Sequence, residues 1–158
     1  IKQWDIIIPN ELIQHDMDSS PIFDKFVIPS LKKAKLNANL QLLNWSTNKI
    51  NELLKKTSNL PFKSVHNGLI ATGDRFISDE RFLNELKLKI PDLIGVEMEG
   101  ASFAQVAIQE EIPWLVIRVI SDNATGDAVD TFQEFLIKYK EHSWTIVNHL
   151  LGEWETRP

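Results

Sequence analysis

LIGVEMEGASFAQVA, from Leu93 to Ala107, is an apolar run that meets two carboxylates and then changes to helical spacing. Leu93 to Val96 reads as a strand buried on two faces, and Phe103, Val106 and Ala107 then give a helix its buried face, with Pro113 as the stop. WLVIRVISD, from Trp114 to Asp122, repeats the pattern, with a strand over Trp114 to Ile120 that ends in Ser121-Asp122. Acidic residues at the ends of buried strands rarely serve packing. In open α/β sheets, ligands bind in the crevice beyond the carboxyl ends of the strands. Glu97, Glu99 and Asp122 therefore mark a candidate site.

Toward the N-terminus, Asp5-Ile-Ile-Ile-Pro9 is a short buried strand ended by proline. A polar, proline-punctuated stretch runs on to about Ser30 and carries Asp16, Asp18, Phe23, Phe26 and Pro29. It reads as a structured excursion with exposed aromatics, of the kind that covers a site or a partner. From Asn39 to Lys56, Leu42, Leu43, Ile50, Leu53 and Leu54 keep helical spacing, with lysines at the end that favours them. Phe62 to Ile70 reads as a strand running into the turn Ala71-Thr-Gly-Asp74. Ser78 then caps a helix with Asp79 and Glu80 in its first turn, Phe82, Leu83, Leu86 and Ile90 on one face and Pro91 as its end. The last helix begins near Asp130, which pairs with Gln133 as in a capping box, and Phe132, Phe135, Leu136, Tyr139, Ile146 and Leu150 carry its buried face to Leu151.

Strands separated by helices, without hairpin signals, predict an α/β fold. We expect three αβα layers, a mixed and mostly parallel central sheet flanked by helices. At 158 residues with 43% hydrophobic content, one domain spanning residues 1–158 is the expectation. Ile1 is not an initiator methionine and a strand starts within a few residues of it, so we expect further elements ahead of it, the N-terminus being incomplete.

A net charge of -5 with no basic run argues against nucleic-acid binding and for a small-molecule partner. Zero cysteines rule out disulfides and thiolate metal sites, and the four histidines show no metal-ligand spacing, His142 and His149 reading as packing or solvated positions on the last helix. No metal or organic cofactor is implied. No apolar run approaches the roughly 20 residues of a membrane span, and a cytoplasmic protein is expected.

The candidate residues each have two readings. Glu97 and Glu99 lie on one side if the strand persists through Met98, and well apart if the helix has begun. Either acid can favour the helix N-terminus, a contribution of ~0.3–1 kcal/mol, or accept hydrogen bonds from a vicinal diol such as ribose. Asp122 can open a turn with Asn123 and Gly126, or, with Ser121 beside it, act as a partly desolvated general acid. Phe76 can pack in the core or form an aromatic platform for a planar base, with neighbouring backbone groups reading the base edge.

GLIATGDRFI (Gly68 to Ile77), GVEMEGASFAQVA (Gly95 to Ala107), IRVISDNA (Ile117 to Ala124) and TFQEFL (Thr131 to Leu136) stand in the order and approximate spacing of the nucleoside phosphorylase and nucleosidase superfamily. They resemble most the 5'-methylthioadenosine/S-adenosylhomocysteine nucleosidase family. The resemblance implies hydrolysis of the N-glycosidic bond, releasing adenine and the 5-thio-substituted ribose. It assigns Asp122 to protonate the purine at N7, Ser121 to orient that acid, and Arg118 and Glu97 to lie near the nucleophilic water. Met98 and Glu99 hold the ribose, Phe76 stacks on adenine beside Ile77, and Phe132 lines the pocket for the 5' group. It further implies a homodimer, in which the loop with a His-Asp pair like His15-Asp16 reaches the neighbouring subunit, so that Phe23, Phe26 or Pro29 serve the partner's site.

The family's N-terminal section supplies a water-activating glutamate and a glycine-rich segment, neither of which is present before Ile1. This chain corresponds to the C-terminal two thirds of the family domain, and activity is expected of the parent protein. A purine nucleoside phosphorylase is the alternative. Such enzymes commonly carry an arginine shortly after the Ser-Asp pair, whereas Asn123-Ala-Thr-Gly-Asp127 follows here and favours water. AMP nucleosidase and futalosine hydrolase share similar motifs. A noncatalytic nucleoside-binding fragment is the second alternative.

Overall fold

Ile6, Ile7 and Ile8 are fully buried, and their alternation sets the layers of the molecule. The computed structural model describes residues 1–122 and 128–158, with the side chains of 128–131 left aside. In chain order the strands are β1 (Ile6–Ile7), β2 (Glu11–Gln14), β3 (Lys35–Asn37), β4 (Val65–His66), β5 (Leu69–Thr72), β6 (Leu93–Glu97) and β7 (Arg118–Val119). The helices are α1 (Leu40–Lys56), α2 (Glu80–Lys89), α3 (Gly100–Gln109) and α4 (Ala128–Gly152), followed by a short 3-10 turn over Trp154–Thr156.

The strands form two ladders, ordered β4-β1-β7 and β3-β2-β5-β6. The pairs β1·β4, β2·β5 and β5·β6 are parallel, whereas β1·β7 and β2·β3 are antiparallel, which is the mixed, mostly parallel arrangement expected. Bonds from Ile8 N to His66 O (2.9 Å) and Asn10 N to Gly68 O (3.2 Å) join one ladder to the other. Ile6 faces Val65 and Glu11 faces Leu69, so five steps on the first strand oppose four on the second. The extra residue falls at the break containing Pro9, whose nitrogen has no hydrogen to give to a ladder.

This corrects the reading that the strand ends at Pro9 and gives way to an excursion. The chain resumes as β2, an inner strand of its sheet, and the excursion starts only after Gln14. Strand β3 was not read from the sequence at all, because its Lys-Leu-Asn has one buried residue, Leu36. Of the run Trp114 to Ile120, only Arg118–Val119 pair in a ladder.

Residues of opposite parity serve opposite faces. Ile7, Leu12, Leu36 and Ile70 pack with Ala101, Ala104 and Ala107 of α3. Ile6 and Ile8 meet Leu43 and Ile50 of α1 and Ile146 and Leu150 of α4. Ile13, Leu69, Ala71 and Leu93 meet Leu86 of α2 and Ile90. Helices thus cover both faces of the strands.

Helix α1 starts where expected, with the Asn39 side chain accepting from Leu42 N at 2.9 Å. Helix α2 is capped by Asp79, which accepts from Arg81 N at 2.9 Å, and not by Ser78; a carboxylate one residue on gives both a cap and a favourable charge at that end. On α3 the alanines are buried while Phe103 and Val106 are 52% and 59% exposed, because only small side chains let the helix lie close on β2 and β5. The helix ends at Gln109, before Pro113, with Glu111 in the left-handed region (φ 55°) turning the chain. On α4 Phe135, Ile146 and Leu150 are buried as expected, but Leu136 is exposed, one step round the helix from Phe135. Helix α4 begins at Ala128; the expected cap at Asp130 and the turn over Asn123 and Gly126 lie outside the described residues and side chains.

Candidate functional site

Strands β5 and β6 run parallel in a register that sets Thr72 beside Glu97, so both end at the N-terminus of α3. The Glu97 carboxylate turns onto that terminus, accepting from Gly100 N at 2.8 and 2.9 Å and from Glu99 N at 3.1 Å. The Thr72 hydroxyl donates to Glu97 and accepts from Ala101 N at 2.8 Å. The helix-capping reading of the acid pair is therefore realised by Glu97, whose side chain is only 10% exposed. Glu99 occupies the cap position by sequence but makes no side-chain cap bond, and its side chain is 71% exposed.

Arg118 comes from β7, across from Ile7, and its Nη2 donates to Glu97 and to Glu99. Burial works against its charge, but the hydrogen bonds and attraction of Glu99 and Glu97 outweigh it and hold the guanidinium above its ordinary pKa. A permanent cation therefore sits between two carboxylates, one buried and one open.

Beyond β7 the chain is pinned by Trp4 N bonding Ile120 O at 2.9 Å and by Gln3 Nε2 bonding Ser121 O at 2.7 Å. Ser121 Oγ then donates to Asp122 Oδ2 at 2.7 Å, a bond that fixes one carboxylate oxygen. After β5, the turn carries Phe76, 43% exposed, and Ile77, 6% exposed and packed with the α2 cluster. Phe76 meets Phe132 of α4 edge-on, with ring centroids 6.0 Å apart.

One cavity of about 860 Å³ is lined by all nine expected site residues, Phe76, Ile77, Glu97, Met98, Glu99, Arg118, Ser121, Asp122 and Phe132. Its polar end holds the carboxylates and Arg118. Its deeper wall is apolar, made by Ile7, Ile70, Ile94 and Val96 among others. Strands β6 and β7 each end a ladder, and both line it. Among the described residues no group of three or more His, Cys, Asp or Glu is placed to hold a metal ion.

Sequence reasoning missed two residues here, and it gave no role to a third, Arg75, which lies in the candidate stretch Gly73 to Ile77. Thr72 was read as a turn residue, yet it is 2% exposed and bridges Glu97 to α3; the available signal was a hydroxyl at the end of a strand beside one ending in glutamate. Tyr139 was placed on the buried face of α4 without a role, but it lines the cavity and stacks on Phe135 at 5.1 Å. Burial raises its phenol pKa, with Arg118 opposing, so it stays a neutral donor. Arg75 also lines the cavity and lies 4.9 Å over the ring of Phe82. His142 meets Phe62 edge-on and His149 Nε2 contacts Lys49 O at 3.0 Å, the packing roles expected of them.

The model of the phosphorylase superfamily matches residues 1–152. The 5'-methylthioadenosine/S-adenosylhomocysteine nucleosidase of Haemophilus influenzae strain PittGG is 33% identical over 148 residues, 93% of this chain and 61% of that protein. The crystal structure of a nucleosidase of the same name from Colwellia psychrerythraea 34H, in complex with adenine, has a TM-score of 0.81 at 31% identity, over 96% of this chain and 60% of that one. Futalosine hydrolase of Helicobacter pylori strain 26695 has a TM-score of 0.81 at 29% identity, over 97% and 62%. The chain spans about three fifths of the length of the curated relatives it matches.

Proposed function

The chain belongs to the phosphorylase superfamily, and from that premise we propose that it forms part of a nucleosidase hydrolysing the N-glycosidic bond of 5'-methylthioadenosine and S-adenosylhomocysteine. The products are adenine and the 5-thio-substituted ribose. The observation that carries this reading is that Asp122, Glu99 and Phe76, from three separate connecting segments, line one cavity.

Asp122 protonates adenine at N7, so that the electrons of the breaking C1'–N9 bond pass into a neutral leaving group and positive charge develops on the sugar. Ser121 holds the acid's Oδ2 and so orients it. Phe76 stacks on the base while the Ile77 backbone reads its edge. Glu99, open on its cavity side, accepts the ribose hydroxyls with Met98 against the sugar, and Phe132 lines the 5' pocket. Arg118 and Glu97 flank the place of the attacking water, whose oxygen bonds to C1' as its proton passes to the water-activating glutamate that the family resemblance places in the N-terminal section. The chemistry parallels glycoside hydrolysis with the acid placed on the base.

The likeness to a futalosine hydrolase supports a hydrolase with its 5' preference set by the pocket around Phe132. We read residues 1–158 as one unit of the superfamily domain, the protein as a homodimer, and the cytoplasm as its compartment. Two observations accompany the last reading: the sequence has no cysteine, and no helix among the described residues is long and apolar enough to cross a membrane. Adenine release from methylthioadenosine by the whole protein, with and without phosphate, tests the function. Phosphate-independent release is expected; phosphate-dependent release would mean a phosphorylase, and no release would leave nucleoside binding alone.

A further inference from the structure

The pair His15-Asp16 lies directly after β2, in the loop that the family resemblance would send to a neighbouring subunit. Strands β2 and β5 end together, with Gln14 beside Thr72, and His15 N continues the ladder onto Thr72 O at 2.9 Å. One residue on, Asp16 Oδ2 accepts from Asp74 N at 2.8 Å. The preceding N–H of the same turn, that of Gly73, is taken by Glu97 O at 3.1 Å. The first two amides of the turn that leads to Phe76 are thus held by β6 on one side and by Asp16 on the other.

The His15 ring fills the space beneath that turn. It is 6% exposed, and a Cβ on Gly73 would lie 2.2 Å from its Nε2 and 2.5 Å from its Cε1, so the ring and the turn close only because residue 73 is glycine. Nε2 has no hydrogen-bond partner among the described residues, so toward Gly73 the ring acts as a wedge. Its other side meets Phe82 edge-on at 6.1 Å, and Arg75 covers the same Phe82.

Resting on the reading of Phe76 and Ile77 as the base end of the site, we propose that His15 and Asp16 latch the turn 73–77, and that Asp16 is a positioning residue for binding of the purine. The latch acts from the chain's own β2, by fixing the amide two residues before Phe76. The wedge sets how far the turn stands off the sheet, and the carboxylate sets its direction.

Titration calorimetry of adenine into the full chain, with Asp16→Ala, Asp16→Asn, Phe76→Ala and the double variant Asp16→Ala/Phe76→Ala, tests this. Loss of one such hydrogen bond is expected to weaken adenine about five-fold in Asp16→Ala, with most of the affinity restored in Asp16→Asn, which keeps an acceptor oxygen. The double variant is expected to bind no more weakly than Phe76→Ala, since the latch acts through that ring. If Asp16→Ala binds adenine within about two-fold of the parent while Phe76→Ala is weakened, the latch is wrong and the base reading stands. If Phe76→Ala binds as the parent does, the base reading fails and the latch fails with it. Failure of Asp16→Asn to restore affinity would reduce Asp16 to a structural residue and overturn the proposal.

Discussion

Glu97 and Glu99 share one guanidinium, that of Arg118, yet the first is 10% exposed at its side chain and the second 71%. Glu97 also satisfies two amides and a hydroxyl at the start of α3, so its loss leaves buried donors unpaired. Glu97→Ala is expected to cost about 1–3 kcal/mol of stability. An exposed ion pair contributes little, so Glu99→Ala is expected to stay within about 0.5 kcal/mol while raising the nucleoside KM. Urea denaturation and steady-state kinetics on the same two variants check the split, and equal stability losses would contradict it.

Thr72 gives a sharper version of the same test. Thr72→Val keeps the shape but strips the donor from Glu97 and the acceptor from Ala101 N, with an expected loss of about 1–3 kcal/mol. Thr72→Ser keeps the hydroxyl and is expected to lose less, by differential scanning calorimetry. If Val and Ser unfold alike, the hydroxyl bridge contributes nothing.

For Asp122 the expected effect is on turnover. Asp122→Asn in the whole protein is expected to lower kcat about 10²- to 10⁴-fold, the usual range for positioned general acid catalysis. Ser121→Ala, which removes one bond to the acid but retains it, is expected to lose less. Adenine release followed by chromatography reads both, and a Ser121→Ala defect as deep as that of Asp122→Asn would make the hydroxyl, not the carboxyl, the essential group.

The pH dependence of stability separates two buried groups. Burial lowers the pKa of His15 below its ordinary 6.5, with Asp16 opposing. Below that ordinary value the unfolded chain binds a proton that the folded chain resists, so stability falls as pH drops from there toward the folded pKa. Asp5 is lowered from 3.8 although burial raises it, because bonds from the Lys2 amide, His66 and the Ser64 amide outweigh burial. Its contribution is present above the unfolded value and is lost as pH falls through the folded one. His15→Gln is therefore expected to flatten the decline that begins near neutrality, while Asp5→Asn lowers stability by a constant amount above about pH 4 and alters the slope only below it. Guanidinium melts across pH 7 to 3 check the assignment, and an Asp5→Asn change in the slope of stability against pH near pH 6 would refute it.

On α3, Ala104→Leu is expected to cost about 1–3 kcal/mol through overpacking against the sheet, whereas Phe103→Ser on the outer face stays within about 0.5 kcal/mol. Thermal melts of the two variants read the difference. The opposite ranking would put the phenylalanine face inward.

The alternation of buried strands and helices was legible in the sequence because unbroken apolar runs and 3.6-residue spacing are local properties, and Glu97, Glu99, Ser121 and Asp122 stood out as candidates because they are polar groups ending such runs, whereas Ile77, Met98, Arg118 and Phe132 were named only through the family resemblance. Three things were not. Strand β2 is polar at both ends and follows a proline, so only its pairing with β3 and β5 makes it a strand. Helix α3 offers two apolar faces, and the sheet selects the alanines because close approach demands small side chains, a choice made by distance between elements. The division of labour between Glu97 and Glu99 depends on Thr72 and Arg118, 25 and 21 residues away from Glu97 along the chain. Sequence by itself determined which residues are polar where strands end; tertiary structure decided which of them is buried and bonded and which stays open, because burial and hydrogen bonding are set by partners that only folding brings together.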